Sequence, residues 1–425
     1  MTLIECFTQA HIDNIAACLR LHPEEVIFVG GKEEMDGVVD RYKALFQKRC
    51  PCTAVDTRYA DGKDFDDLRA VVYRLIMQSA ECVIDITGGE PAVALAIGAA
   101  LADLSEEKRK TVRVEQFDHR TATVVDYLRD NCQKPAQAIS LTVEEMISLH
   151  GGALFPDAYK LPEDCTLKDL DRLWRVVSGM PKEWNERVAL LKRFEKYGEK
   201  TDAQVRVDLI ALYAAIPDLR AREQEVRDLI EKLDREGVVT DQSSRNTLRY
   251  AYNSDFLRHC IHTQGNVLEI KTLLEGRAVR ENGAPFFRDS RIGVKIDWDG
   301  DIPESKFAFS GTRNEIDVLL MHGATPLFVS CKNGDVKMEE LYKLHTVATR
   351  FGGPYAKKML VVSDLDRKDA ASAEAFARRA WDMDIFLVAD AAELSADQWD
   401  EIFRIPFSTD PEKAMKEFLE TLQAT

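Results

Sequence analysis

Glu315 and Asp317 stand two residues apart at the head of the apolar run Glu315-Ile316-Asp317-Val318-Leu319-Leu320-Met321. Ser330 and Lys332 stand two apart at the end of the run Leu327-Phe328-Val329-Ser330-Cys331-Lys332. Residues two apart share one face of a strand, and the His322-Gly323 pair between the runs reads as a turn, so a hairpin would gather all four side chains. Carboxylates and a lysine on one face of an otherwise apolar sheet are costly to bury unless they bind something. A divalent cation of the Mg2+ or Mn2+ kind, which takes carboxylate, carbonyl and water oxygens, accounts for the acids. Such a cation activates water and neutralises the charge that builds on phosphorus. Lys332 would orient the attacking hydroxide or bind the developing oxyanion. The plain alternative is an ordinary strand ion pair between Asp317 and Lys332.

The flanking segments add to the hairpin. A helical segment upstream carries Glu269, in Gly265-Asn266-Val267-Leu268-Glu269, and one downstream carries Glu340 and Tyr342-Lys343. This arrangement resembles the PD-(D/E)xK nuclease superfamily, with an acid on one strand, acid-x-Lys on the next and an acid on a preceding helix. The resemblance implies catalytic roles for Asp317, Lys332, Glu269, Glu315, Ser330 and Glu340. One departure is Ser330, which stands where the superfamily usually has Glu or Asp; serine is the poorer metal ligand. The metal would then be held by Asp317, the Cys331 main-chain carbonyl and Glu315 or Glu269.

The elements that must position these groups follow from periodicity. Residues 1–138 alternate strand-like and helix-like segments. Val26–Val29 ends in Gly30-Gly31, and Cys82–Ile86 ends in Thr87-Gly88-Gly89 before an Ala-rich helix. Alternation of this kind implies parallel strands with right-handed crossovers, a Rossmann-like sheet. Residues 139–250 carry apolar residues at helical spacing and read as a helical connector; a winged helix-turn-helix is the alternative, disfavoured because no basic recognition helix stands out. Residues 251–425 return to α/β. The expected fold class is therefore α/β, with an N-terminal Rossmann-like parallel sheet, a helical connector and a C-terminal restriction-endonuclease-like domain.

In a doubly wound sheet ligands sit beyond the C-terminal strand ends. Thr8 and Gln9 follow the first strand, and Thr87-Gly88-Gly89 would let backbone N–H groups approach a phosphate at a helix N-terminus. No G-x-G-x-x-G and no GxxxxGK[ST] occurs, which disfavours a dinucleotide or P-loop site. The order of domains, with Ile84-Asp85-Ile86-Thr87-Gly88-Gly89, Asn314-Glu315-Ile316-Asp317-Val318, Val329-Ser330-Cys331-Lys332-Asn333 and Leu341-Tyr342-Lys343-Leu344, resembles the CRISPR-associated Rossmann-fold (CARF) nucleases. That resemblance covers most of the chain. It implies a homodimer that binds a cyclic oligoadenylate, with four adenylates or six, across its two-fold axis, lined by Thr8, Gln9, Thr87, Gly88 and Gly89. It also implies messenger-dependent cleavage of DNA, RNA or both in antiviral defence.

The remaining features are weighed against plainer readings. The chain has 425 residues and a formal net charge of −16, so contact with nucleic acid must be local. Arg277, Arg280, Arg288, Arg291 and Lys295 could form that local track, extended by Lys357 and Lys358; a solvated charged face is equally expected. His259-x-x-His262 lacks a third ligand and reads as surface histidines, and Asp364-Leu365-Asp366 reads as a capped turn. Nine scattered cysteines read as reduced thiols. No run of about 18 apolar residues occurs and the start does not resemble a secretory signal, so a cytoplasmic protein without a membrane span is expected. A ligand-sensing regulator with an inactive nuclease fold remains the alternative class.

Overall fold

The computed structural model describes residues 1–61, 64–88, 91–119, 121–129, 131–156, 167–201, 204–263, 266–300, 313–333, 336–363, 365 and 369–424. Gly89, Asp364 and Asp366 lie outside the described residues.

The N-terminal sheet runs in the order Ala54–Tyr59, Glu25–Gly30, Thr2–Cys6, Cys82–Asp85, Val112–Asp118, Thr123–Asp126, Gln133–Pro135. Its first five strands are parallel and its last two antiparallel. The strand order reverses between Thr2–Cys6 and Cys82–Asp85, so the loops at Thr8 and Thr87 flank the switch point where such sheets bind ligands. The two added antiparallel strands are short, and neither carries an apolar run that periodicity could detect.

The middle segment is not the plain helical connector expected. A four-stranded antiparallel sheet in the order Val239–Asp241, Thr247–Tyr252, Gln204–Asp208, Glu199–Lys200 is set among helices Trp184–Glu195, Leu209–Ala215 and Glu223–Arg235. A helix, a strand, two helices and a final strand pair are the parts of a winged helix. The strands escaped the reading because they are brief; Gln204–Asp208 buries only its alternate valines. Helix Val143–Leu149 and strand Ala153–Leu154 belong instead with the next sheet, which Ala153–Leu154 joins as an edge.

The C-terminal sheet is ordered Ile385–Val388, Lys357–Val362, Thr325–Lys332, Arg313–His322, Asp289–Asp297, Ala153–Leu154. Arg313–His322 and Thr325–Lys332 form the expected hairpin, closed by His322↔Thr325 with Gly323 at φ 60°. A glycine with positive φ at the first turn position matches the twist of the flanking strands.

Each face of this sheet meets a different neighbour. One face packs Val318, Leu320, Leu327 and Val329 against helix Asn266–Ala278 and the winged-helix core, including Trp174 and Leu191. The other packs Leu319, Met321 and Phe328 against helix Met338–Gly352 and, through Ile147, against Phe28, Tyr42 and Phe46 of the N-terminal domain.

Two histidines sit at that second junction. His11 and His150 meet edge to face with centroids 4.8 Å apart, His11 Nδ1 pairs with the Tyr42 hydroxyl at 2.7 Å, and Arg350 donates to the His150 carbonyl at 2.7 Å. Burial, then the neighbouring ring and the nearby arginines, pulls His11 down to about 3. Burial likewise pulls His150 down to about 4, against the hydrogen bond to the Met146 carbonyl. A depressed folded-state value gives stability that is present above the ordinary histidine range and is lost as pH falls. Acidification from about pH 7 to about pH 5 should therefore cost up to roughly 2 kcal/mol per histidine, read by denaturant titration; in the His11→Gln, His150→Gln double variant the pH dependence should flatten.

Candidate functional site

The hairpin ladder stops short of the strand ends. Its last rung is Val318↔Val329, although the strands extend to Arg313 and Lys332. Beyond it, Asp317 replaces the ladder: Asp317 Oδ2 accepts the Cys331 N–H at 2.6 Å and the Ser330 hydroxyl at 3.0 Å. A carboxylate fixed by two donors on the neighbouring strand has one orientation, as a ligand needs.

The other neighbour of Asp317 explains why the strands splay. The strands Asp289–Asp297 and Arg313–His322 pair at Ile292↔Val318 and Val294↔Ile316, which leaves Gly293 opposite Asp317. Gly293 has φ 58°. Ile292 and Val318 pack into one core, whereas Val294 and Ile316 pack into the other. Residues two apart should share a face, so both strands switch faces at this rung, a distortion found often beside active sites.

The switch brings groups from both sheet faces to one place. Lys332 Nζ lies 3.9 Å from Asp317 Oδ2 and 3.1 Å from Glu340 Oε2. Lys343 Nζ holds the other Glu340 oxygen at 2.8 Å. Burial alone would lower the Lys332 ammonium, but Asp317 and Glu340 outweigh it and hold the value above the ordinary lysine range. Lys332 therefore stays charged and acts as a donor and a cation, not as a base. Burial would raise Glu340, but Lys343 and Lys332 hold it below the usual range.

Glu269, in the first turn of helix Asn266–Ala278, approaches from the opposite face. Burial, then the charges of Asp317 and Glu315, pushes its carboxyl up to about 8. A pair of carboxylates that repel each other in a half-buried pocket is the electrostatic setting a divalent cation relieves. Among the described residues no three His, Cys, Asp or Glu side chains cluster as a complete ligand set. Mg2+ and Mn2+ sites commonly use one or two carboxylates and fill the rest with water and backbone oxygens, so Asp317, Glu269 and the Cys331 carbonyl suit that class of ion. The Cys331 thiol is buried against the Thr272 hydroxyl at 3.6 Å and pushed well up by burial, which removes it as a ligand. Glu315 is exposed and stands opposite Lys295; it is felt at Glu269 only through its charge.

The basic track does not assemble at this end. Arg288 bonds the Met321 carbonyl through its N–H, beside the hairpin turn and away from Lys332. Arg291 stands opposite Leu319, and Arg277 and Arg280 cap their own loop carbonyls and Ser290. Only Lys295, opposite Glu315, lies near the splayed ends. His262 is likewise no bare surface histidine: it meets the buried Glu195 at 3.3 Å and the Tyr252 hydroxyl at 3.1 Å.

In the N-terminal domain Thr87 and Gly88 lie where expected. The Thr87 N–H and hydroxyl both donate to Asp85 Oδ1, at 3.0 Å and 2.5 Å, and Thr87 Oγ1 accepts the Phe117 N–H at 3.0 Å. Gly88 is pressed against the first loop: a methyl group built on it would sit 2.3 Å from Thr8 Cγ2 and 2.9 Å from Asp13 Oδ2. Thr8 is bound at both backbone groups by Asn14, and Gln9 is exposed. A cavity of about 490 Å3 opens beside this turn, lined by Thr87, Phe117, His119, Tyr127, Gln133 and Tyr355 among others. Of the five residues proposed from sequence, Thr87 lines it, and Gly88 and Thr8 back it through Asp13. His119, Asp13 and Tyr355 were missed, since Asp13 and His119 lie outside the glycine turns and Tyr355 comes from more than two hundred positions downstream.

Gly293 offers a direct test. Gly293→Ala should destabilise the protein by about 1–3 kcal/mol, the cost of a left-handed backbone in a residue with a side chain, seen as a lower denaturant midpoint at unchanged slope; an unshifted midpoint would show that the face switch needs no glycine.

Neither a protein-family model nor a curated protein sequence matches this one. Solved structures do. Protein VC1899 from Vibrio cholerae superposes with a TM-score of 0.65 at 14% identity, over 94% of this chain and 95% of that one. Can2 from Sulfobacillus thermosulfidooxidans, solved in complex with cyclic tetra-adenylate, superposes with a TM-score of 0.63 at 14% identity, over 96% of this chain and 97% of that one. At this identity the likeness establishes shared architecture: from the N-terminal sheet to the C-terminal sheet, the chain has the fold of these two proteins over almost its whole length.

Proposed function

We propose that this protein is a cyclic-oligoadenylate-activated, metal-dependent endonuclease that cuts DNA, RNA or both in type III CRISPR antiviral defence. The observation that carries this reading is the convergence of Asp317, Lys332 and Glu269 at the splayed strand ends. The fold shared with Can2, solved with cyclic tetra-adenylate, supports the same messenger for the N-terminal cavity. In this reading the chain acts as a cytoplasmic homodimer, and each protomer offers half of a two-fold site to a ring of repeated adenylates. Asp317, Glu269 and the Cys331 carbonyl hold Mn2+ or Mg2+, which when bound supplies an activated water and charge neutralisation at phosphorus. Ser330 and the Cys331 N–H aim Asp317. The Lys332 ammonium stabilises the charge that develops on the phosphate oxygens. Glu340 holds Lys332 in place until substrate arrives.

A second reading rests on the winged-helix topology: a ligand-sensing DNA-binding regulator with an inactive nuclease fold. Its recognition position is helix Glu223–Arg235, which carries five acids against three bases and spends its cations on internal ion pairs. Phosphate backbones repel such a surface.

Cleavage of single-stranded and plasmid substrates, with and without cyclic tetra-adenylate and Mn2+, separates the readings. Asp317→Ala and Lys332→Ala should each lose activity by roughly 100-fold or more while still binding the messenger. Wild-type-like cutting by either variant, or tight messenger-dependent DNA binding without cutting, would overturn the nuclease assignment.

A further inference from the structure

Tyr355 belongs to the C-terminal domain, yet it lines the N-terminal cavity. It closes the short turn Gly353–Tyr355 that follows helix Met338–Gly352. Gly353, at φ 63° and ψ −154°, takes a conformation essentially reserved for glycine, which turns the chain sharply off the helix. The Tyr355 hydroxyl then donates to Asp13 Oδ1 at 2.8 Å. The same oxygen faces His119 Nε2 at 2.8 Å, and the rings of His119 and Tyr355 lie 5.1 Å apart. Asp13 is 4% exposed and lies against Gly88. One buried carboxylate thus touches the ligand-side turn, an aromatic ring of the cavity and a residue of the other domain.

The far end of the same helix carries Glu340, 3.1 Å from Lys332. Fifteen helical residues span about 22 Å. Leu341, Leu344, Val347, Ala348 and Phe351 bury one side of the helix along that length. A helix so packed shifts as a unit between discrete positions and does not bend at one end.

We infer that Tyr355 is a latch built into the sensor pocket: its hydrogen bond to Asp13 holds helix 338–352 in the resting position, with Glu340 engaged on Lys332, and an adenine amino group entering the cavity takes over the Asp13 acceptor and releases it. The inference rests on the proposed function and names the residue through which that function is controlled. The chemistry selects adenine. Its exocyclic amine is a donor that suits a carboxylate, as the uracil and cytosine carbonyls are not, and the His119 and Tyr355 rings offer faces on which a base can stack. Once Asp13 is taken over, the helix loses this hydrogen bond to the N-terminal domain, so the ligand's preference for the released state becomes a shift at Lys332.

The test uses the full-length protein and its Tyr355→Phe variant, which keeps the ring and removes only the hydroxyl. Calorimetry with cyclic tetra-adenylate, cleavage with and without it, and amide hydrogen exchange across residues 338–352 are measured on both. Tyr355→Phe should raise unstimulated cleavage roughly tenfold, the scale of one hydrogen bond to a charged acceptor, bind the messenger as tightly as the wild type or more tightly, and show faster exchange in the unliganded helix. Unchanged unstimulated cleavage and unchanged exchange would overturn the latch while leaving the messenger-activated reading intact. Absence of messenger binding by the wild-type protein would overturn that reading itself, and the latch with it.

Discussion

The candidate site depends on one rung of the C-terminal sheet where two strands stop behaving as strands. A continuous ladder would leave no room for a ligand, because every N–H and C=O would be spent on a neighbour. Opposite Asp317 the chain places Gly293 in a left-handed conformation. The side chains of both strands change faces there, the hairpin ladder ends at Val318↔Val329, and the Cys331 N–H that would be orphaned is taken by the Asp317 carboxylate. The distortion and the site are therefore the same event. Repairing the strand would bury Asp317, and removing Asp317 would leave an unpaired N–H in a nearly closed sheet, at a cost of about 1–3 kcal/mol.

A comparable tension sits beneath the Thr87 turn. Glu5, Asp85 and Glu115 occupy one rung on three adjacent strands, and each is at most 4% exposed. Three buried carboxylates in a row cannot all be charged without partners. Arg20 and Arg113 ion-pair with Glu115. Burial, then Asp85, holds Glu5 well above the usual range, which favours its neutral form beside Asp85. Burial also lifts Asp85 to about 6, against its bonds to Thr87. Asp85 uses one oxygen to shape the Thr87 turn. Asp85, in the run Ile84-Asp85-Ile86, is thus a structural brace for the loop, and the groups that face the cavity come from elsewhere.

This division explains how much the sequence disclosed. The hairpin that sets Asp317 beside Lys332 was legible because its signals are local: two apolar runs, a glycine turn and polar residues at even spacing; Glu269 entered through the resemblance to the nuclease superfamily. The alternating N-terminal elements were legible for the same reason. The face switch at Gly293 was not, since a lone glycine in a strand does not announce its φ. For that reason Glu315 was grouped with Asp317 as a ligand, whereas the broken alternation leaves it exposed opposite Lys295. The arginines of 277–291 were near Asp317 in sequence, but an antiparallel strand carries Arg288 and Arg291 toward the hairpin turn, away from Lys332. The winged-helix strands were too short for periodicity, and Tyr355 reaches the sensor only through tertiary packing.

The two sheet faces finally account for why two acids of similar chemistry do different work. Glu269 rides on helix Asn266–Ala278, whose Leu268, Ile270 and Leu273 are sunk in the core shared with the winged-helix module. Among the described residues that core contains no residue of the N-terminal sheet, so the C-terminal sheet stands between Glu269 and the N-terminal domain. Glu340 rides on helix Met338–Gly352, whose core runs without a break into Phe28, Tyr42 and Phe46 of the N-terminal domain. Coupling is carried by contiguous packed elements with two arrangements available to them. The face bearing Glu340 meets the first condition and the face bearing Glu269 does not. The acid suited to holding a cation is therefore anchored to the face that packs on the winged-helix module, and the acid that pairs with the lysine is anchored to the face that packs on the N-terminal domain.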